Sequence, residues 1–380
     1  MKIVVAPDSF KGSLSAQQVA AIVRGGLAAR IPACEIVEIP LADGGEGSLE
    51  AILAVLGGRI EQASVLSPDK RQITAQFGVT AGGKAVLEAA QSCGITRQIG
   101  LHPMDSNTYG FGQLILQALD RGLRDFILCL GGTATTDGGC GMAAALGAEF
   151  SDSENKGFVP NGATLGDIAR VNMSGVDARV RQSSFMVFCD VDNPLYGPTG
   201  AAFVYGPQKG ADAEQVRTLD DGLRHLGGVM LRASGIDCAH VPGSGAGGGL
   251  GFGCATMLGA RLVRGIDAVL DLYDFRHRIA DADLVVTGEG KLDAQSFSGK
   301  VLSGVLRAAE AGAVPVVSIC GTCTCEKHVL REHGLTVFEA SEGSTVEESL
   351  QYPERHLREA TSRVADSLRK RSAACRKGAI

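Results

Sequence analysis

Short apolar runs alternate with helical periodicity at both ends of the chain, and the pattern changes in between. "KIVVAP" at residues 2–7 reads as a short buried strand. In "SAQQVAAIVRGGLAAR", Val19, Ile22, Val23 and Leu27 share one helical face, and Ser15 with Gln18 has capping-box spacing at its start. "EIVEIP" predicts a second strand, "LADGGEGS" a glycine-rich loop and "LEAILAVLGG" the next helix. The C-terminal part repeats the alternation, with a strand and loop in "ADLVVTGEG", a helix in "GKVLSGVLRAAEAG" and a strand in "VPVVSICG". A helix near 324–334, the strand "LTVFEA" and a closing helix from about 353 to 371 follow. Such alternation implies a parallel sheet covered on both faces.

The middle reads differently. Residues 59–90 alternate in polarity like hairpin strands, and after them come a helix over 110–122, strands in "DFILCLGG" and "SFMVFCD", and a long helix near 212–233. The pattern predicts an α/β protein of two domains. A parallel α/β domain is formed by both chain ends, 1–80 plus 284–380, and a mixed α/β domain, 81–283, is inserted into it. Ligands of open α/β sheets bind beyond the carboxyl ends of the strands. The loops "PDSFKGS", "LADGGEGS", "GGTATTDGG" and "VVTGEGKLD" fall there and come from both halves, which predicts an active-site cleft between the domains.

Composition narrows the class. Hydrophobic residues make up 45% and charged residues 21% of the 380, the balance of a soluble globular protein. With no Trp, 5% aromatics and a net charge of −6, the chain lacks the basic, aromatic surface of a nucleic-acid binder. No segment approaches the roughly 18 apolar residues of a membrane span, and the N-terminus lacks the apolar region of a signal peptide. The eleven cysteines are scattered singly, mostly in apolar runs, which predicts reduced, buried thiols in a cytoplasmic protein. Cys320, Cys323, Cys325 and His328 lie close in sequence but match no zinc pattern. The basic tail "RKRSAACRKGAI" reads as a solvated end.

Glycine is where the chemistry starts. In "CLGGTATTDGGCGMAAALGAEF" the pairs Gly131–Gly132 and Gly138–Gly139 flank Thr133, Thr136 and Asp137. Glycine weakens regular structure by roughly 0.5–1 kcal/mol per site relative to alanine. Such a cluster predicts that something comes close to the backbone, with an anion at a helix N-terminus as the leading candidate. "PGSGAGGGLGFG" holds a formal G-x-G-x-x-G at Gly243, Gly245 and Gly248. A dinucleotide fingerprint must follow a buried strand, and "IDCAHVP" makes a poor one. A phosphate loop through Gly245, Gly247 and Gly248, or merely close helix packing, fits as well. Walker A, the protein-kinase loops and the G-x-S-x-G elbow are all absent.

Phosphoryl transfer needs metal-binding carboxylates, cations over the phosphates and a group for the attacking hydroxyl. The predicted strand ends supply Asp8, Ser9 and Lys11; Asp43, Gly44 and Gly45; Asp137; Asp190 and Asp192; and Glu289, Lys291 and Asp293. Asp190 and Asp293 are placed best as catalytic carboxylates, Lys11 and Lys291 as phosphate partners, and Asp192 and Glu289 as Mg²⁺ ligands. Any one strand-end carboxylate can equally be a helix cap.

In order, "KIVVAPDSFKGSLSA", "PLADGGEGS", "GGTATTDGGCGM", "CDVDNPLYGPTGAAFVYGPQKGA", "PGSGAGGGLG" and "VTGEGKLDAQSFSGK" cover essentially the whole chain. Together they resemble the bacterial glycerate kinase family, the type that includes glycerate 2-kinases. The resemblance implies a Rossmann-like domain with an inserted domain and no Walker motif. It also implies ATP-dependent, Mg²⁺-assisted phosphorylation of D-glycerate to 2-phospho-D-glycerate and ADP, with 3-phosphoglycerate as the alternative product. Gln113 stands where the family usually has glutamate, Gly12 replaces a usual glutamate, and Thr133 and Thr136 vary the usual glycine loop. Two other classes stay open: an NAD-dependent hydroxy-acid dehydrogenase, resting on Gly243–Gly248, and a non-catalytic sensor. The oligomeric state is open too, a homodimer being one arrangement.

Overall fold

The structure is a computed structural model that describes residues 1–377 apart from positions 43, 46, 298 and 299, with side chains to residue 370. Its first strands are β1 (Lys2–Pro7), β2 (Glu35–Glu38), β3 (Gly58–Leu66), β4 (Gln72–Thr80), β5 (Ala85–Glu88) and β6 (Asp125–Cys129). Three short strands follow: β7 (Glu149–Ser151), β8 (Gly157–Phe158) and β9 (Arg170–Asn172). β10 (Ser184–Phe188), β11 (Arg261–Val263), β12 (Leu284–Leu292), β13 (Val316–Cys323) and β14 (Thr336–Glu339) complete the set.

The chain divides into two compact units. The first comprises Met1–Asp43, Glu50–Val55 and Ile266–Ile380, the second Gly44–Leu49 and Leu56–Gly265.

The first unit is built on a parallel sheet of order β14-β13-β12-β1-β2. Ile3, Val4, Val5 and Ala6 of β1 are wholly buried, as the unbroken apolar run requires of a central strand. The helix Ala16–Arg30 begins as read: Ser15 Oγ accepts the Gln18 N–H at 3.2 Å, and Gln18 Oε1 accepts the Ser15 N–H at 2.9 Å. Its buried stripe of Val19, Ile22, Val23 and Leu27 packs with Leu357, Ala360 and Val364 of the closing helix Pro353–Lys377. From β1 the chain moves outward to β2, and from β12 it moves the opposite way to β13 and β14. The carboxyl ends of β1 and β12 therefore form the switch point at which open parallel sheets receive ligands.

The second unit has a sheet of order β11-β10-β6-β5-β4-β3, parallel from β11 to β5 and closed by an antiparallel hairpin. Glu88, Cys129, Phe188 and Val263 lie in register, so the loops after β5, β6, β10 and β11 leave from one level. A small sheet, β8-β7-β9, sits apart from this one.

The unit boundaries differ from the expected 80 and 283. Residues 58–80 lie in the second unit because β4 pairs with β5, Gly78 opposite Val86. Residues from 266 onward lie in the first, where Ile266 packs so tightly on Gly304 that a Cβ there would stand 2.5 Å from Ile266 Cγ1. The α/β class, with one parallel and one mixed sheet, is as the sequence implies. No helix among the described residues is long and apolar enough to cross a membrane.

Candidate active site

In the first unit the switch point gathers the loop after β1 and the end of β12. The Asp8 N–H donates to Gly288 O at 2.8 Å, and Asp8 Oδ1 accepts the Ser9 N–H at 2.7 Å. Phe10 and Leu14 then close a tight turn, each N–H donating to the other's carbonyl at 2.8 and 3.0 Å, with Lys11 exposed near its tip. Gly12 takes φ +81° there with nothing within 4 Å of a would-be Cβ, so glycine relieves the turn without touching a neighbour. Gly290 is needed for close approach: its Cβ would lie 3.3 Å from Phe10 Cα.

Glu289 and Asp293 share this corner but differ in how they are used. Asp293 Oδ1 accepts the Gln295 N–H at 2.9 Å, the Asp293 N–H donates to Ser296 Oγ at 3.1 Å, and Oδ2 stands 3.5 Å from Lys291 Nζ. Asp293 is thus engaged as the cap of the short turn Ala294–Phe297 and as an ion-pair partner. Glu289 has a buried Oε1 with no hydrogen-bond partner among the described residues. Burial pushes its carboxyl above the ordinary range, and the Ser296 hydroxyl, Lys300 and Lys11 pull the other way. Lys300, at the N-cap of the helix Val301–Ala311, is a cation the sequence analysis does not single out.

In the second unit the glycines answer mainly to one another. A Cβ on Gly131 would lie 2.7 Å from Gly45 Cα, one on Gly44 2.9 Å from Phe188 O, and one on Gly245 2.4 Å from Pro194 O. Gly138, at φ +62°, would drive a Cβ to 2.3 Å from Leu226 Cδ2, and Gly139 would meet Gly253 Cα at 3.0 Å. The N–H groups of this pair are used inside the fold, Gly138 by Gly248 O at 3.2 Å and Gly139 by Asp137 Oδ1 at 3.3 Å. The N–H groups of Gly138 and Gly139, expected at an anion, are thus engaged within the fold. Gly132 adopts φ +74° as the loop turns to Thr133.

Asp137 is wholly buried and accepts four donors: the Thr108 N–H and Oγ1–H at 2.8 Å, the Gly141 N–H at 2.9 Å and the Gly139 N–H at 3.3 Å. Burial pushes its carboxyl up, against the pull of those donors. With both oxygens so occupied, Asp137 staples the start of the helix Tyr109–Asp120 to that of Cys140–Ala145.

Gly247, Gly248 and Gly249 take φ of 62°, 72° and 87°, a left-handed turn inside what is otherwise the helix Ala246–Met257. The formal G-x-G-x-x-G follows a segment without a strand, between the helix Ala213–Ser234 and this one. The dehydrogenase reading thus lacks the strand its fingerprint requires.

Behind the glycine loop lies a residue the sequence reading missed. Lys209 is 2% exposed, and its Nζ donates to Thr135 O at 2.6 Å and Thr133 Oγ1 at 3.4 Å. Burial lowers its pKa to about 8, with Cys93 and Asp137 opposing the shift. Thr136 is wholly buried, its Oγ1 without a hydrogen-bond partner among the described residues. A lone lysine in "YGPQKGA" is the available signal, and a weak one, because lysines are rarely buried.

Asp190 is half-buried in the loop after β10, beside Cys189, whose thiol burial pushes up to about 11. Asp192 is exposed and pairs with Arg264 at 3.2 Å. Gln113 Oε1 accepts the Leu66 N–H at 2.8 Å, so it holds the end of β3, a task glutamate would do equally. Asp43 lies outside the described residues. No group of three His, Cys, Asp or Glu among the described residues is arranged to hold a metal, the Cys320–His328 group included, and ten cysteines are free thiols. Nucleotide-bound Mg²⁺ keeps several waters and asks for only one or two carboxylates, which Glu289 Oε1 fits, buried and without a hydrogen-bond partner among the described residues.

Comparison with known proteins gives one answer along the chain. The model of the "Glycerate kinase family" matches residues 3–369. A glycerate kinase of Bacillus subtilis (strain 168) is 38% identical, over 97% of this chain and 98% of its own. The glycerate 2-kinase of Escherichia coli (strain K12) is 40% identical, over 88% of this chain and 89% of its own. A Salmonella typhimurium LT2 protein, assigned as glycerate kinase 2, has a crystal structure matching 98% of this chain and 99% of its own at a TM-score of 0.86 and 36% identity. Matched over nearly its whole length in both sequence and fold, this chain belongs to the glycerate kinase family.

Proposed function

We propose that this protein is a glycerate 2-kinase, moving the γ-phosphoryl group of ATP to the 2-hydroxyl of D-glycerate to give 2-phospho-D-glycerate and ADP. The observation that carries this reading is Glu289 at the switch point, a half-buried carboxylate with a spare oxygen among Lys11, Lys300 and Asp293. A carboxylate with cations around it suits a hydroxyl that must lose its proton beside a phosphate. Mg²⁺, when bound with ATP, would neutralise phosphate charge. Glu289 and Asp190 are the residues we assign to metal and hydroxyl. Lys11, Lys291 and Lys300 take the phosphate-facing role. Asp8 and Ser9 shape the loop after β1. Gly44, Gly45, Gly131, Gly132, Thr133, Thr136 and the Gly245–Gly248 turn form the anion-facing part of the second unit. Asp192, paired with Arg264, is the weaker metal ligand. The free thiols suit a cytoplasmic enzyme.

The test couples the reaction to enolase. With ATP, Mg²⁺ and D-glycerate, enolase alone should give a signal, and excess EDTA should abolish it. A signal only after phosphoglycerate mutase is added would assign the 3-position instead. Full activity in EDTA, or ADP release that ignores glycerate, would overturn the proposal.

A further inference from the structure

The second unit contains a buried cation that the reading above does not use. Lys209 ends the short turn Pro207–Lys209, whose next residue, Gly210, is left-handed at φ +91°. From there its side chain runs inward, 2% exposed, and its Nζ donates to Thr135 O at 2.6 Å and Thr133 Oγ1 at 3.4 Å. The left-handed glycine turn closes over it: a Cβ on Gly248 would stand 2.8 Å from Nζ and 2.0 Å from Thr135 O. Thr136, next along the loop, is wholly buried, its Oγ1 without a hydrogen-bond partner among the described residues. The ionisable groups facing the ammonium are Cys93, from the short helix Ala90–Cys93, and Asp137, from the loop itself; the glycine turn brings none.

Burying an ammonium against one carbonyl and one hydroxyl is unfavourable to folding. The Asp137 carboxylate does not offset this by direct pairing, because four other donors occupy it. A charge kept at such a position is a mark of function. We propose that Lys209 is a positioning residue for an anionic substrate of this enzyme: it clamps the Thr133–Thr136 segment against the Gly247–Gly249 turn and gives that segment the positive potential an anion needs. This inference rests on the kinase reading for its ligands, a nucleotide phosphate or the glycerate carboxylate. Lys209 acts through the loop it clamps.

Two consequences have opposite signs, which separates positioning from mere structural support. Burial lowers the Lys209 pKa to about 8, below its unfolded value. Where the unfolded chain binds the extra proton, stability rises with pH. On this residue's account the fold therefore gains stability as pH rises through 8, while the loop loses its charge and its hold on an anion.

The experiment follows binding by calorimetry, apart from turnover, with ADP and D-glycerate as separate probes and melting temperature measured alongside. Lys209→Met keeps an unbranched side chain, one atom shorter, and removes the charge. It should melt at or above the temperature of the parent protein and bind at least one probe about tenfold more weakly or worse. The parent's affinity for that probe should fall between pH 7 and 9.5, by at most about tenfold per pH unit for one proton, and the variant's should stay flat. Neither ligand titrates in that window, phosphate having its second pKa near 6. The proposal fails if Lys209→Met is folded and binds both probes within twofold of the parent, or if it keeps the parent's pH dependence. It also fails if Lys209→Met melts far lower with affinities intact, the outcome of a purely structural lysine, or if the parent binds neither probe. The kinase reading fails separately, if the parent binds a probe yet phosphorylates no glycerate.

Discussion

At the scale of single residues, what a carboxylate can do depends on which of its oxygens are already committed. Asp137, Asp293 and Glu289 look alike in sequence, each among glycines at a predicted strand end. Asp137 is saturated by four donors, Asp293 caps a turn, and Glu289 keeps a buried oxygen without a partner among the described residues. Glu289→Gln should therefore lower turnover on the order of 10²–10⁴-fold with little change in melting temperature. Asp293→Asn should lose far less. Steady-state rates at saturating ATP and glycerate decide the ranking; similar losses in both variants would undo it. Burial pushes the Glu289 carboxyl up, so the acid limb of the parent's kcat/KM profile should lie above the ordinary glutamate value of about 4.3. Asp137→Asn should instead act on folding. It weakens charge-assisted bonds from buried donors, each worth about 1.5–3 kcal/mol, and a melt reads it directly.

Elements tell a second story, about which signals reach across the chain. Gly138→Val should unfold the loop rather than block a ligand, because its first side-chain atom meets Leu226 Cδ2 at 2.3 Å in a left-handed conformation. A loss of roughly 2–4 kcal/mol is expected from overpacking and strain together. Denaturant midpoints measure it, and a variant with parental stability but raised Michaelis constants would restore the anion reading. Local pattern made the regular elements legible: β1, the capped helix from Ala16, β13 and the closing helix all stand where periodicity and caps put them. The loops after β1, β6, β10 and β12 were legible as strand ends for the same reason. Pairing was not. β3 and β4 join β5 in the second unit through ladder bonds that leave no mark in their own residues. Nor were the glycines' neighbours legible, since Gly248 meets Thr135 and Lys209 only after folding. The bracing of Asp137 by Thr108 likewise spans a separation that no short motif covers.

For the whole molecule, chain order and unit order disagree. The second unit is nearly continuous from Gly44 to Gly265, and the first needs both ends of the chain. A fragment spanning residues 44–265 should therefore melt cooperatively by circular dichroism, while residues 1–43 alone should show no stable structure. A non-cooperative fragment would mean that the larger unit depends on the smaller. The same topology bears on synthesis. The Ile3–Ala6 run of β1 is apolar and wholly buried, and the parallel neighbour of β1, β12, begins only at Leu284. At about 5–20 residues per second, the ribosome leaves that flank unmatched for some tens of seconds. For that interval "IVVA", residues 3–6, is a bare apolar strand edge open to other nascent chains, with only Lys2 beside it as a charge. Expression yield should then be limited by chaperone supply in the interval between synthesis of β1 and synthesis of β12, which becomes the most hazardous stretch of each molecule's making.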